Sequence, residues 1–299
     1  MLQYLSQNLF DFNKKETPGE VIFFKIFELF IVAQVIYHAF YWGLYVSRIS
    51  EVVLPLGLAN YIDVSFMFGT DLAVWNGVLI TGLSLLGFMR IAPKIVYPVA
   101  MLLFHWQYVV RFSLGEIPHS ANLIGFSLLA FAVAHVCYSN PLMMRRFTLG
   151  FIYFFGGLGY TSAAISKFVG TGMSWADGRH LWMWMSEKSV DILSRTGEFE
   201  FNLLQTLAFD YVWIATLILI IGLLTEFFGF MMWFKKLRVY IFTATIAMHV
   251  GITLTMNIRF DAFVMQLILM GYPWAKGIDM LIDRQKAFDQ LHRFSLKFA

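Results

Sequence analysis

Eight times along this chain, a run of about twenty mostly apolar residues passes with hardly a charge in it, and that recurrence limits the possible folds most. A helix rising about 1.5 Å per residue needs roughly 20 such residues to cross the hydrocarbon layer of a bilayer. The runs are Val21–Val46, Asp71–Ile91, Ile95–Ser113, His119–Tyr138, Phe147–Phe168, Phe209–Trp233, Arg238–Ile258 and Phe260–Ala275. A segment in lipid must satisfy its own backbone N–H and C=O groups, so such spans are helices. The class predicted is all-α: a polytopic membrane bundle of about eight transmembrane helices, with amphipathic helices on its outer face.

Composition agrees, since 59% of the 299 residues are hydrophobic and only 14% are charged, against about 25% charged in a soluble domain. A single cysteine, Cys137, excludes an intrachain disulfide and a Cys-rich metal site. The opening "MLQYLSQNLFDFNKKETPGE" has its lysines after its apolar positions and no small-residue cleavage site, so residues 1–20 read as an interfacial segment rather than a signal peptide. With no repeat, low-complexity tract or Pro/Gly linker, residues 1–299 read as a single transmembrane domain, with 276–299 as a cytoplasmic tail. With the N-terminus inside, fourteen Lys and Arg fall on inner segments and six on outer ones. That asymmetry predicts both termini on the cytoplasmic side. The outer segments Ser47–Thr70 and Val169–Ala208 are long, and the second interleaves Trp, Met, Phe and Leu with charges, as surface-lying helices do.

Ionisable groups inside spans are costly and usually face a bundle interior or water. Counting depth along each span puts His38, His105, Arg111, His119, Asn122, Lys167, His249, Thr253 and Asn257 from mid-membrane outward, with Glu28 and Glu226 on the inner side. Rim residues meeting headgroups, and snorkelling cations, would sit at the same depth. His249, Thr253 and Asn257 are spaced i, i+4, i+8 and form one polar stripe. Lys167 follows a face of small residues, Gly156, Gly157, Ala163 and Ala164, with Tyr160 two turns before it. A lysine in a poorly hydrated apolar place gives up its proton more readily, so Lys167 is a candidate general base. His119 or His249 could hydrogen-bond a developing oxyanion. No carboxylate pattern or paired His spacing singles out a metal ion. "GTG" at Gly170–Gly172 lacks the context of a phosphate loop, and nothing points to nucleic acid.

The run "IYFFGGLGYTSAAISKF" with "SWADG", then "MHVGITLTMNIRFDAFVMQLILMGYP", and before them "IPHSANLIGFSLLAF", resembles the membrane domain of vitamin K-dependent gamma-glutamyl carboxylase and its bacterial relatives, the horizontally transferred transmembrane domain proteins. The similarity runs from about His105 to Pro273, with its elements in family order. The resemblance implies a bacterial inner-membrane protein with a quinol, menaquinone- or vitamin K hydroquinone-like, as cofactor. It aligns Lys167 with the base that deprotonates the hydroquinone. It aligns His119 and His249 with family histidines, and Asn257 or its neighbours, Trp175 and Gly178 with other motif positions. Extra residues separate Lys167 from Trp175 here. The resulting candidates are Lys167, His119 and His249 as catalytic groups. His105, Arg111, Asn122, Tyr160, Trp175, Thr253 and Asn257 are candidates for holding the cofactor, with no metal. The carboxylase also has a large lumenal domain that helps bind its protein substrate, whereas this chain ends within about 25 residues of its last span. Quinol use is therefore expected to carry over and protein carboxylation is not.

Two classes stay open: a membrane enzyme that uses a quinol with Lys167 as base, and a non-catalytic membrane protein. The second would bind lipid, quinone or a peptide in the same place and assist export or maturation of a secreted peptide or protein.

Overall fold

A computed structural model describes residues 2–52, 54–115 and 119–295. Ile117 and Pro118, from one segment of the resemblance, and Lys297, among the terminal charges, lie outside them. The described chain is all-helical, and its one bridge outside the helices joins Leu54 to Leu114. The α-helices are α1 (Leu2–Leu9), α2 (Pro18–Val46), α3 (Leu72–Phe88), α4 (Pro93–Phe112), α5 (Asn122–Cys137) and α6 (Pro141–Thr171). They continue as α7 (Gly178–Thr196), α8 (Leu203–Asp210), α9 (Val212–Phe227), α10 (Lys235–Met256), α11 (Asp261–Gly271) and α12 (Trp274–Ser295).

Among the described residues, five stretches are long and apolar enough to cross a membrane: Pro93–Phe112, His119–Cys137, Pro141–Ala176, Val212–Trp233 and Lys235–Met256. They match five of the eight expected runs. Two other runs contain shorter apolar helices, α3 and α11. At 11 residues, α11 is only about 16 Å long, roughly half the hydrocarbon thickness. Beyond Gly271 comes Pro273, which has no N–H to continue a helix. The run Val21–Val46 lies in α2, a 29-residue helix outside those five, with Glu20, Lys25 and Glu28 in its first half.

The contacts divide the chain into two compact units. One comprises Asp11–Pro118, Ser127–Thr148 and Tyr272–Ala299. Its α2 starts at a capping box, in which Thr17 accepts the Glu20 N–H and Glu20 accepts that of Thr17, with Pro18 in the first turn. α2 and α3 pack backbone to backbone, since a Cβ on Gly43 would lie 2.7 Å from the Ala73 carbonyl oxygen. Phe24, Phe27, Ile31, Tyr97 and Phe131 are fully buried here. Glu28 is buried beside them and accepts from Arg90 at 2.6 and 2.9 Å, from the Tyr97 hydroxyl at 2.7 Å and from Lys25 at 3.3 Å. Arg145 pairs with Glu16, and Arg146 with Glu20 at 3.1 Å. Where a tail was expected, α12 is helical, and its Asp279 accepts the Gly19 N–H at 2.7 Å.

The other unit comprises Met1–Phe10, His119–Phe126 and Leu149–Gly271. Within the expected interfacial segment, the last turn of α1 holds Asn8, whose side-chain oxygen accepts from the Lys235 N–H at 3.1 Å and whose carbonyl accepts from the Arg238 guanidinium at 3.2 Å. The long segment Val169–Ala208 forms α7 and most of α8. Asp177 caps α7 by accepting the Arg179 N–H, and Gly197 ends it in the left-handed region, φ 79°. Leu181 and Met185 of α7 bury against Ala215 and Leu219 of α9. After α9 the 3₁₀ turn Phe228–Trp233 lies on α6, where the Trp233 indole donates to the Phe154 carbonyl at 2.9 Å.

Candidate functional site

This second unit holds a partly open cavity of about 890 Å³, within the usual size range for small-molecule sites. α6 forms one wall with Phe155, Gly156, Gly159, Tyr160, Ala163 and Lys167. The i, i+3 and i+4 spacings place all of them on one helix face. α9 supplies Ile218, Gly222 and Glu226, and α10 supplies Ala244, Met248, His249 and Ile252. His119 and Asn122 enter at the start of α5, and Trp175 and Trp184 close the end beyond Lys167. From Phe155 to Lys167 the cavity follows about 18 Å of α6. The Phe155 end is apolar, with Phe126, Ala244 and Met248.

Two polar pairs stand in this apolar wall. The Lys167 ammonium donates to both oxygens of Glu226, at 2.6 and 2.5 Å, with side chains 29% and 13% exposed. It also lies 4.7 Å from the centre of the Trp175 ring, in cation–π contact. The second pair is Tyr160 and His249, whose hydroxyl and Nε2 are 2.6 Å apart. Phe260 and Phe263 pack on the His249 ring, with centroids at 4.7 and 5.2 Å. His249 is buried, and its Nδ1 has no hydrogen-bond partner among the described residues. A buried ring nitrogen without a partner costs free energy.

Of the residues expected from the sequence, Lys167, His119, His249, Asn122, Tyr160 and Trp175 come together around the cavity. Thr253 and Asn257 do not line it. The Thr253 hydroxyl is occupied by the carbonyls of His249 and Ile258, at 3.1 and 2.9 Å. Asn257 ends α10 in the left-handed region, φ 53°, which Asn tolerates better than most residues. His105 and Arg111 belong to the other unit, where His105 stacks on Tyr108 and Arg111 lies over the Tyr45 ring.

The expectation for Glu226 changes. Depth counting put it on the inner side, yet it binds the Lys167 ammonium. The α-helical part of the run ends at Phe227, whose carbonyl accepts from Thr161 of α6. Lys167 is less than two turns beyond Thr161, and a helical side chain leans back toward its N-terminus. The signal was in the sequence: Glu226 is the one charged residue from Val212 to Trp233, and an ionisable group inside a span is a functional candidate by default.

Among the described residues, fold and site together define an all-helical chain with five helices long and apolar enough to cross a membrane and an apolar cavity carrying a Lys–Glu pair and a Tyr–His pair. Compared with protein-family models, curated proteins and solved structures, the chain matches none.

Proposed function

We propose that this chain is an integral membrane protein that binds a quinol-type amphiphile in the cavity and takes up a hydroxyl proton at Lys167 and its partner Glu226. The convergence of His119, Asn122, the Tyr160–His249 pair and the Lys167–Glu226 pair on one otherwise apolar cavity carries this reading. Such a wall suits a ligand with a few polar atoms and an otherwise apolar surface. A flat ring bearing oxygens at its edge suits that demand: its face meets Phe, Trp and aliphatic walls, and its oxygens meet His249, His119 and Asn122. A hydrocarbon tail would follow α6 toward Phe155. The residues that carry the resemblance to the carboxylase membrane domain, Lys167, His119, His249 and Trp175, are among those lining the cavity, which supports the same ligand class.

The accompanying topology has eight spans in the inner membrane and both termini in the cytoplasm. It is supported within one unit by Asn8 bonding Lys235 and Arg238, and within the other by Glu16 and Glu20 pairing with Arg145 and Arg146. Each set joins segments that the charge count assigns to the cytoplasmic side.

A short-chain naphthoquinone titrated into the purified full-length protein tests the ligand class. Quinone bound beside Trp175 and Trp184 quenches tryptophan fluorescence saturably. His249→Ala weakens the quenching affinity about tenfold or more, as loss of a buried hydrogen bond does. Absence of saturable quenching in the wild-type protein, with only phospholipid recovered from it, would instead favour a non-catalytic lipid-binding protein.

A further inference from the structure

The sequence and the resemblance both give the base role to Lys167, but the contacts around that residue assign the two members of the pair differently. We infer that Glu226 accepts the ligand proton and that Lys167 stays an ammonium, holding the oxyanion left behind. The inference rests on the quinol-site reading above and concerns the division of labour within that site.

Geometry carries it. An amine acts as a base only while its lone pair is free. The Lys167 nitrogen is engaged by both Glu226 oxygens, at 2.6 and 2.5 Å, and faces the Trp175 ring at 4.7 Å. A carboxylate and an aromatic face both favour the charged form of the amine over the neutral one. The carboxylate has capacity to spare, since two oxygens offer about four lone-pair sites and Lys167 takes two. Glu226 is itself in the cavity wall and 13% exposed, so a ligand hydroxyl can reach those remaining sites. The step balances. The ligand O–H bond breaks, an O–H bond forms on the Glu226 carboxyl, and the electron pair stays on the ligand oxygen. Before the step the ammonium faces one anion, the carboxylate, and after it another, the ligand oxyanion. No charge is created or left alone in the apolar wall, which is where an uncompensated ion would be most costly.

The two assignments separate cleanly in a pair of variants. Lys167→Arg keeps the cation but removes any group that can give up its proton, because a guanidinium is always charged in proteins. Glu226→Gln keeps the shape and removes the carboxylate. The probe is 2-methyl-1-naphthol, which has one ionisable hydroxyl, needs no redox partner, and absorbs at longer wavelength as the anion. It is added to the full-length protein in nanodiscs at one fixed pH, and the anion fraction of the bound probe is read from its spectrum. The expected result is an anion fraction kept in Lys167→Arg and lowered about tenfold or more in Glu226→Gln, with both variants still binding the probe. Should Glu226→Gln fail to fold, Glu226→Asp serves instead, and there the anion persists while a carboxylate is present. Anion lost in Lys167→Arg and kept in Glu226→Gln would overturn the inference and return the base role to Lys167, leaving the quinol-site reading intact. No naphthol bound by the wild-type protein would defeat the reading itself, and the inference with it.

Discussion

Lys167 without Glu226 would be a cation set in a wall of aliphatic and aromatic side chains, and its loss of a partner costs more than the pair contributes. Glu226→Leu should therefore lower stability by about 1–3 kcal/mol, reduced from the fully buried case because part of Lys167 reaches solvent. Adding Lys167→Met should recover most of that loss, since the double variant buries no unpaired charge. Thermal unfolding of the four proteins in one detergent measures both numbers, and a double variant as unstable as the sum of the singles would deny the coupling. At this scale much of the site was legible from sequence. Lys167, His119 and His249 are rare polar positions in apolar runs, and depth counting grouped them. Glu226 was left out of that group because counting treats a side chain as level with its own Cα, whereas Lys167 pairs with Glu226 by reaching back along its helix. Thr253 and Asn257 fit the stripe by spacing alone. Spacing does not reveal that a hydroxyl is spent on backbone carbonyls, or that a helix ends.

α6 shows the same division between packing and cavity in one dipeptide. A Cβ on Gly157 would lie 2.6 Å from the Trp233 indole nitrogen and 2.9 Å from the Gly229 carbonyl oxygen, so the 3₁₀ turn after α9 can approach only a glycine there. A Cβ on Gly156 or Gly159 would meet nothing within 4 Å, and both residues line the cavity. Gly157→Ala should destabilise the protein by about 1–3 kcal/mol, the cost of overpacking a tight contact. Gly156→Ala should leave stability unchanged or slightly improved, because it relieves backbone entropy in a helix. Unfolding midpoints decide it, and equal effects at the two positions would contradict the assignment of faces. The sequence displayed the small-residue face of α6 but not which of its glycines pack and which leave space, because that depends on where α9 ends. Helix starts at Thr17 and Asn202 were open to reading as capping boxes, while the stop of α11 at Gly271 was overrun by counting apolar residues on to Ala275.

For the molecule as a whole, hydrophobic runs sufficed for the all-helical class, and five of the eight appear as helices long enough to span a bilayer. The division into two contact units was not legible, because α5 and α6 each contribute residues to both units with no break in hydropathy at either crossing. The charge-based topology makes its own prediction. In a background with Cys137→Ser, a cysteine at Arg195 should react with an impermeant thiol reagent from outside intact cells, and one at Lys235 should not; the reverse pattern would invert the molecule. The central claim, that the cavity holds a quinol-type amphiphile, is tested most directly by native mass spectrometry of the protein extracted with its own membrane lipids. The account predicts an added mass equal to a membrane quinone on the wild-type protein, and its loss from Gly159→Leu, whose side chain fills the cavity without touching its packing. Phospholipid alone on both proteins would contradict it.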